Sequence, residues 1–233
     1  MRPTCDHCGY VHYQNPVPGV GLVIEMDGGV VFDAGSVQAE PMREDQEYAG
    51  GRVRLTAMIA GARLSLQIDI GFGDAVTPAP EEISYPALLP FPAPRIRAYP
   101  KETVVAEKYE ALVSLGMTNS RMKDFYDLWV MARTFAFEGT TLAAAIGATF
   151  SRRQTALPAE IPLAMTAAFA EDRQKGVQWS SFVRRASPSV TPPSLPEAIG
   201  VLKTFLLPVP EALRQAQPFL SRWTPGEGGW RQE

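Results

Sequence analysis

The stretch RVRLTAMIAGARLSLQIDIGFGD, residues 52–74, decides the fold class. Val53, Leu55, Ala57 and Ile59 alternate with Arg52, Arg54, Thr56 and Met58. After Ala60-Gly61, Leu64, Leu66, Ile68, Ile70 and Phe72 alternate with Ser65, Gln67, Asp69 and Gly71. Successive side chains of a strand point to opposite faces, so a period of two marks a half-buried strand. Two such runs around a glycine turn predict an antiparallel pair. Upstream, Val20-Gly21-Leu22-Val23-Ile24 reads as a further strand and Asp27-Gly28-Gly29 as a hairpin turn. Downstream, Pro78, Pro80, Pro86, Pro90, Pro92 and Pro94 make residues 77–100 an extended connection.

Past that connection the period changes to that of helices. Val104, Val105, Ala111 and Leu112 share a stripe over 102–115. A second helix is predicted over 120–135, opened by Asn119 or Ser120 as cap. Shorter ones follow over 139–149, 162–174 and 178–185. SPSVTPPSLP (187–196) reads as a linker, and a last helical stretch over 196–220 is interrupted at Pro208 and Pro210. Strands first and helices second is the order of an α+β protein with a helical C-terminal part.

Bulk numbers bound the function. The chain has 233 residues, 45% hydrophobic and 20% charged, which is a globular composition. A net charge of -3 gives no bulk attraction to nucleic acid or anionic membranes. No apolar run is long enough to span a bilayer, and MRPTCDHCGY (1–10) has no apolar signal core. Two cysteines three positions apart are a poor disulfide staple, so a cytoplasmic location is expected.

Three places carry candidate chemistry. Asp69 sits on the polar face of its strand with Gln67, where a carboxylate either faces solvent or holds a divalent metal such as Mg²⁺. Lys108 lies on the apolar stripe of its helix, so it either snorkels or meets a phosphate or carboxylate. In NSRMKDFYDLW (119–129), Asp124 and Asp127 are three apart and face one way, beside Arg121 and Lys123. Two acids among apolar neighbours want a cation, a metal or Lys108; otherwise they are surface charges suited to a helix N-terminus. Cys5 and Cys8 have the spacing of half a zinc knuckle, with His7 or His12 as further ligands, or are a reduced pair in a turn.

QIDIGFGD (67–74), AYPKETVVAEKYEALVSLG (98–116) and NSRMKDFYDLWVMA (119–132) occur in an order that resembles the AbiEii/AbiGii nucleotidyltransferase toxins. TFSRRQTALP (149–158), Trp179 and WTPGEGGWR (223–231) fit as well, so the resemblance runs from about Val37 to the end. It implies transfer of a nucleotide from an NTP, with Mg²⁺, to an acceptor such as an RNA end. It also implies a toxin beside a cognate antitoxin in a toxin–antitoxin or abortive-infection system. By the same resemblance Lys108 contacts nucleotide phosphates, Asp124 completes the active site, and Asp69 is a late carboxylate of the metal site. Arg121 and Lys123 would assist in nucleotide binding, with Asp127 in support.

The departure from the family pattern is as informative. Such enzymes open with a Gly-Ser turn and a strand bearing Asp-x-Asp, and this sequence contains no Asp-x-Asp. Gly35-Ser36 precedes Asp45-Gln46-Glu47 at nearly the right distance, but REDQEYAGGRVRL (43–55) matches the family segment just before QIDIGFGD. In the missing motif's place, CDHCGYVHYQNPVPGVGLVIEMDGGVVF (5–32) resembles the zinc-ribbon-like lead-in of some Nudix hydrolases, without a Nudix box. The expected organisation is therefore a zinc-ribbon/Nudix-like segment over 1–36, an incomplete nucleotidyltransferase-like sheet over 37–100, and a helical domain over 101–233. An impaired transferase that has lost its catalytic segment is the leading expectation. The rivals are a non-catalytic nucleotide- or partner-binding remnant and a zinc-dependent binding module.

Overall fold

The structure is a computed structural model that describes residues 31–42, 50–59, 61–71, 73–86, 92–188, 190–226 and 228–232. The run 20–24, the turn 27–29, Cys5, His7, Cys8 and His12, and Asp45 and Glu47 lie outside the described residues. The chain divides into two compact units, one ending at Asp74 and the other continuing from Ala75. The architecture is α+β, with small antiparallel sheets and a helical C-terminal part.

The first unit is a three-stranded antiparallel sheet. Its strands β1 (Val31–Met42), β2 (Gly50–Ile59) and β3 (Ala62–Gly71) lie in sequence order. Gly61, with φ of 80°, makes the turn that a residue with a Cβ resists. Counting outward from it, Ala57 opposes Leu64, Leu55 opposes Leu66 and Val53 opposes Ile68. The alternate row pairs Thr56 with Ser65, Arg54 with Gln67 and Arg52 with Asp69. The alternation in the sequence is thus the two faces of this sheet. Strand β1 is not legible as a period of two, because its register shifts between Asp33 and Gln38. At that bulge the Ser36 hydroxyl donates to Asp33 O (2.6 Å) and accepts from Thr56 N (2.8 Å).

The second unit begins with a hairpin, β4 (Glu81–Ser84) and β5 (Arg95–Ala98), inside the segment read as a plain connection. The described prolines flank these strands, so no ladder N–H is lost. The helices α1 (Lys101–Leu115) and α2 (Met122–Thr134) follow, then the short β6 (Phe137–Glu138) and α3 (Gly139–Arg152). The single helix expected over 162–174 is instead a 3-10 turn and the four-residue α4 (Ala167–Ala170), and α5 (Arg173–Ala186) starts earlier than expected. Capping explains the break. Thr166 accepts from Phe169 N and Asp172 accepts from Lys175 N, so each begins a helix of its own. α6 (Leu195–Leu206) starts with a capping box between Ser194 and Glu197, and Pro208 opens α7 (Pro208–Arg214). The hairpin of β7 (Ser221–Trp223) and β8 (Trp230–Gln232) pairs with β6 in a third sheet.

Helix α1 lies at the centre of this unit, packed against α2 and α3, with α6 on the far side of α2. Phe125, Tyr126, Leu128, Leu112, Ile146, Phe150, Leu202 and Phe205 are fully buried around it. The C-terminal hairpin closes the end of the bundle. Trp223 Nε1 donates to Ala132 O at the end of α2, and Trp230 Nε1 donates to Phe205 O at the end of α6. The linker 187–196 is tied down, since Tyr126 donates its hydroxyl to Val190 O and Trp179 Nε1 donates to Pro193 O. Among the described residues no helix is long and apolar enough to cross a membrane.

Candidate functional site

Most polar side chains on a helix buried on most sides need partners. On α1 the buried polar and charged residues are Glu102, which lies 3.5 Å from Lys101, and Thr103, Lys108 and Glu110. The Thr103 hydroxyl accepts from Thr77 N (3.0 Å) and donates to Thr77 O (2.8 Å). Glu110 receives Arg153 (2.7 Å) and the Thr155 hydroxyl (2.7 Å). Both come from the end of α3, where Gln154 at φ of 51° turns the chain back. The segment TFSRRQTALP singled out in the sequence is thus the clamp of α3 on α1.

Lys108 remains, and its partners are the acids of α2. Its ammonium donates to Asp124 Oδ1 at 2.6 Å and lies 2.8 Å from Asp127 Oδ2. Lys123, one turn before Asp127, reaches the same Oδ2 at 2.5 Å. The side chains of Lys108, Asp124 and Asp127 are 8%, 14% and 8% exposed, so this is an interior cluster. The i, i+3 spacing of the two acids is what lets one ammonium bridge them. Burial pulls the Lys108 ammonium down, but Asp127 and then Asp124 more than reverse this and hold it above the usual lysine range. Lys123 goes the other way: burial lowers it, and Asp127 only partly offsets that. Asp127 Oδ1 is buried without a hydrogen-bond partner.

The structure therefore brings together Lys108, Lys123, Asp124 and Asp127. Arg121 is exposed at the residue before α2 and carries no ion pair among the described residues. It, rather than Asn119 or Ser120, occupies the N-cap position. Asp69 belongs to the sheet unit. There Arg52, its cross-strand neighbour, grips both carboxylate oxygens at 2.7 and 3.0 Å, and Gln67 adds two contacts. The hydrogen bond from Arg52 holds the Asp69 carboxyl below the usual range. Two further buried residues bear on the cluster: Asn119, read from the sequence only as a candidate cap, and Lys175 on α5, which the sequence reading did not name.

A dication between Asp124 and Asp127 would have to take the place of Lys108. At Asp69 it would have to displace the Arg52 guanidinium from both oxygens. Among the described residues no three His, Cys, Asp or Glu stand close enough to hold a metal ion. The described carboxylates do not fit Mg²⁺.

Fold and cluster define an α+β protein in which a buried lysine on one helix is seated between two aspartates of the next. The family model described as nucleotidyl transferase AbiEii toxin, Type IV TA system, matches residues 22–201, and the chain belongs to this family. The match includes the strands of the sheet unit and runs into α6. It begins upstream of Val37, inside the segment likened above to a Nudix lead-in. No curated protein and no solved structure matches the chain.

Proposed function

We propose that this chain is a nucleotide-binding member of the AbiEii nucleotidyltransferase toxins whose own transfer step is strongly impaired. One observation carries the reading: each of Asp69, Asp124 and Asp127 is already paired with a cation. Nucleotidyl transfer breaks the bond between the α-phosphorus and its bridging oxygen, joins the α-phosphoryl to an acceptor oxygen, and releases pyrophosphate. Negative charge grows on the leaving group, and carboxylate-held metal is the usual means of stabilising it. Carboxylates already neutralised by lysine and arginine are poorly suited to that task. Binding asks for less. Lys108 and Lys123 balance Asp124 and Asp127, so Arg121 is left as the excess positive charge of the group. An exposed guanidinium with its donors free suits a phosphate. The acceptor in this reading is a hydroxyl such as an RNA end, and a cognate antitoxin is the protein partner.

Calorimetric titration with each NTP tests this on the wild type and on Arg121→Ala. The expected result is measurable triphosphate binding that weakens with salt, and a loss of about tenfold in the variant, the scale of one charge-assisted hydrogen bond. Absence of binding by every NTP at millimolar concentration, or full affinity in Arg121→Ala, contradicts the assignment.

A further inference from the structure

Among the described residues two lysines are buried, and they are satisfied in different ways. Lys108 has two carboxylates. Lys175, 7% exposed on the first turn of α5, has none among the described residues. Its ammonium donates to the backbone carbonyl of Asn119 at 2.8 Å and sits 4.9 Å from the centre of the Phe169 ring. Burying an ammonium without an opposite charge is costly, so a role in holding its partner is the natural question.

That partner begins the acidic helix. Asn119 is fully buried between α1 and α2. Its Oδ1 accepts from Arg121 N (2.8 Å), and its Nδ2 reaches Ala111 O on α1 (3.5 Å). Met122 N then donates to Ser120 O, and Asp124 N to Arg121 O, both at 2.9 Å. Helix α2 has no side-chain cap at Arg121. Its start is set by this turn, and the turn is held from outside by Lys175. Asp124 follows Asn119 by five residues, so a shift of α2 at its entry moves the oxygen that Lys108 contacts at 2.6 Å.

We propose that Lys175 is a positioning residue, which grips the Asn119 carbonyl and so fixes the placement of α2 in which Asp124 and Asp127 meet Lys108. It concerns the placement of α2, at whose N-cap Arg121 of the proposed nucleotide site stands, and its test needs no nucleotide. An ammonium buried between two carboxylates exchanges its protons slowly and gives a resolved signal in ¹⁵N spectra of lysine NH₃⁺ groups. The Lys108 signal is assigned by its loss in Lys108→Arg. In Lys175→Met, whose unbranched side chain keeps the packing against Phe169, the Lys108 signal should shift or broaden beyond detection. Lys175→Arg, which retains a donor, should restore it. A folded Lys175→Met with the wild-type Lys108 signal overturns the proposal. Should Lys175→Met fail to fold, native-state hydrogen exchange of the wild type decides. The first protected amides of α2 should open together with those of α5, with the same dependence on denaturant. Amides of α2 that open while α5 stays closed overturn it. Failure of every NTP to bind, with the Lys108 signal responding as described, removes the nucleotide reading and leaves the positioning role standing.

Discussion

Lys108 Nζ has three protons to donate, and Asp124 and Asp127 take two of them. Removing this lysine leaves two aspartates close together in the interior with only Lys123 beside them. Breaking a buried pair from one side typically costs ~3–5 kcal/mol, and Lys108→Ala is expected to lose about that much stability in urea unfolding. The pH dependence has a definite sign. The folded-state value of Lys108 is raised, so its contribution is complete below the ordinary lysine value of 10.5 and is lost as pH rises through the higher folded value. The stability gap between wild type and Lys108→Ala should therefore close in strong alkali. Lys123, lowered by burial, acts in the opposite sense and over a lower range. A gap that stays constant past 10.5 would mean the ammonium is not what the aspartates are holding. The partnership was partly legible in the sequence. Lysine on an apolar stripe announces a need, and Asp124 and Asp127 at i, i+3 announce a matching one. The pairing of Asp69 with Arg52 was not read, although counting outward from the turn at Ala60-Gly61 leads to it. Lys175 was not legible, because nothing local to RQKGVQW (173–179) says that its ammonium will reach back to Asn119.

Elements were legible where their period was unbroken. The spans of β2, β3, α1 and α2 lie close to those read from the sequence. β1 was missed where a bulge breaks the alternation, and the 162–174 region was misjudged where two N-caps outweigh an apolar run. The C-terminal hairpin was hidden for another reason: strands of three residues carry too few positions to show a period. Its docking is nonetheless close. A Cβ placed on Gly139 would come within 2.5 Å of Phe219 O and 2.6 Å of Ser221 O, both backbone atoms that cannot swing aside. Gly139→Ala should therefore force β7 away from α3 and destabilise by ~1–3 kcal/mol, as overpacked sites do, although alanine favours helix. Thermal unfolding followed by near-ultraviolet circular dichroism reads this directly, since Trp223 and Trp230 report on the hairpin. A variant as stable as the wild type would show that the hairpin is not held against α3 in this way.

At the scale of the whole molecule the question is whether a member of a transferase family still transfers. The fold is clear from the architecture and the family from the sequence match, but activity depends on where negative charge is left unpaired. In this chain Asp69, Asp124 and Asp127 are each committed to a cation, and the 233 residues contain no Asp-x-Asp. Loss of metal-assisted stabilisation of the leaving pyrophosphate removes several kcal/mol, and each ~1.4 kcal/mol is tenfold in rate. The direct measurement is incorporation of label from each NTP into bulk tRNA by the purified chain with Mg²⁺, beside a family member that carries Gly-Ser and Asp-x-Asp. The account predicts incorporation at least about a thousandfold below that control, with NTP binding retained. Incorporation within about tenfold of the control, a barrier difference of only ~1.4 kcal/mol, would contradict it and turn attention to Asp45 and Glu47 as the metal-holding acids.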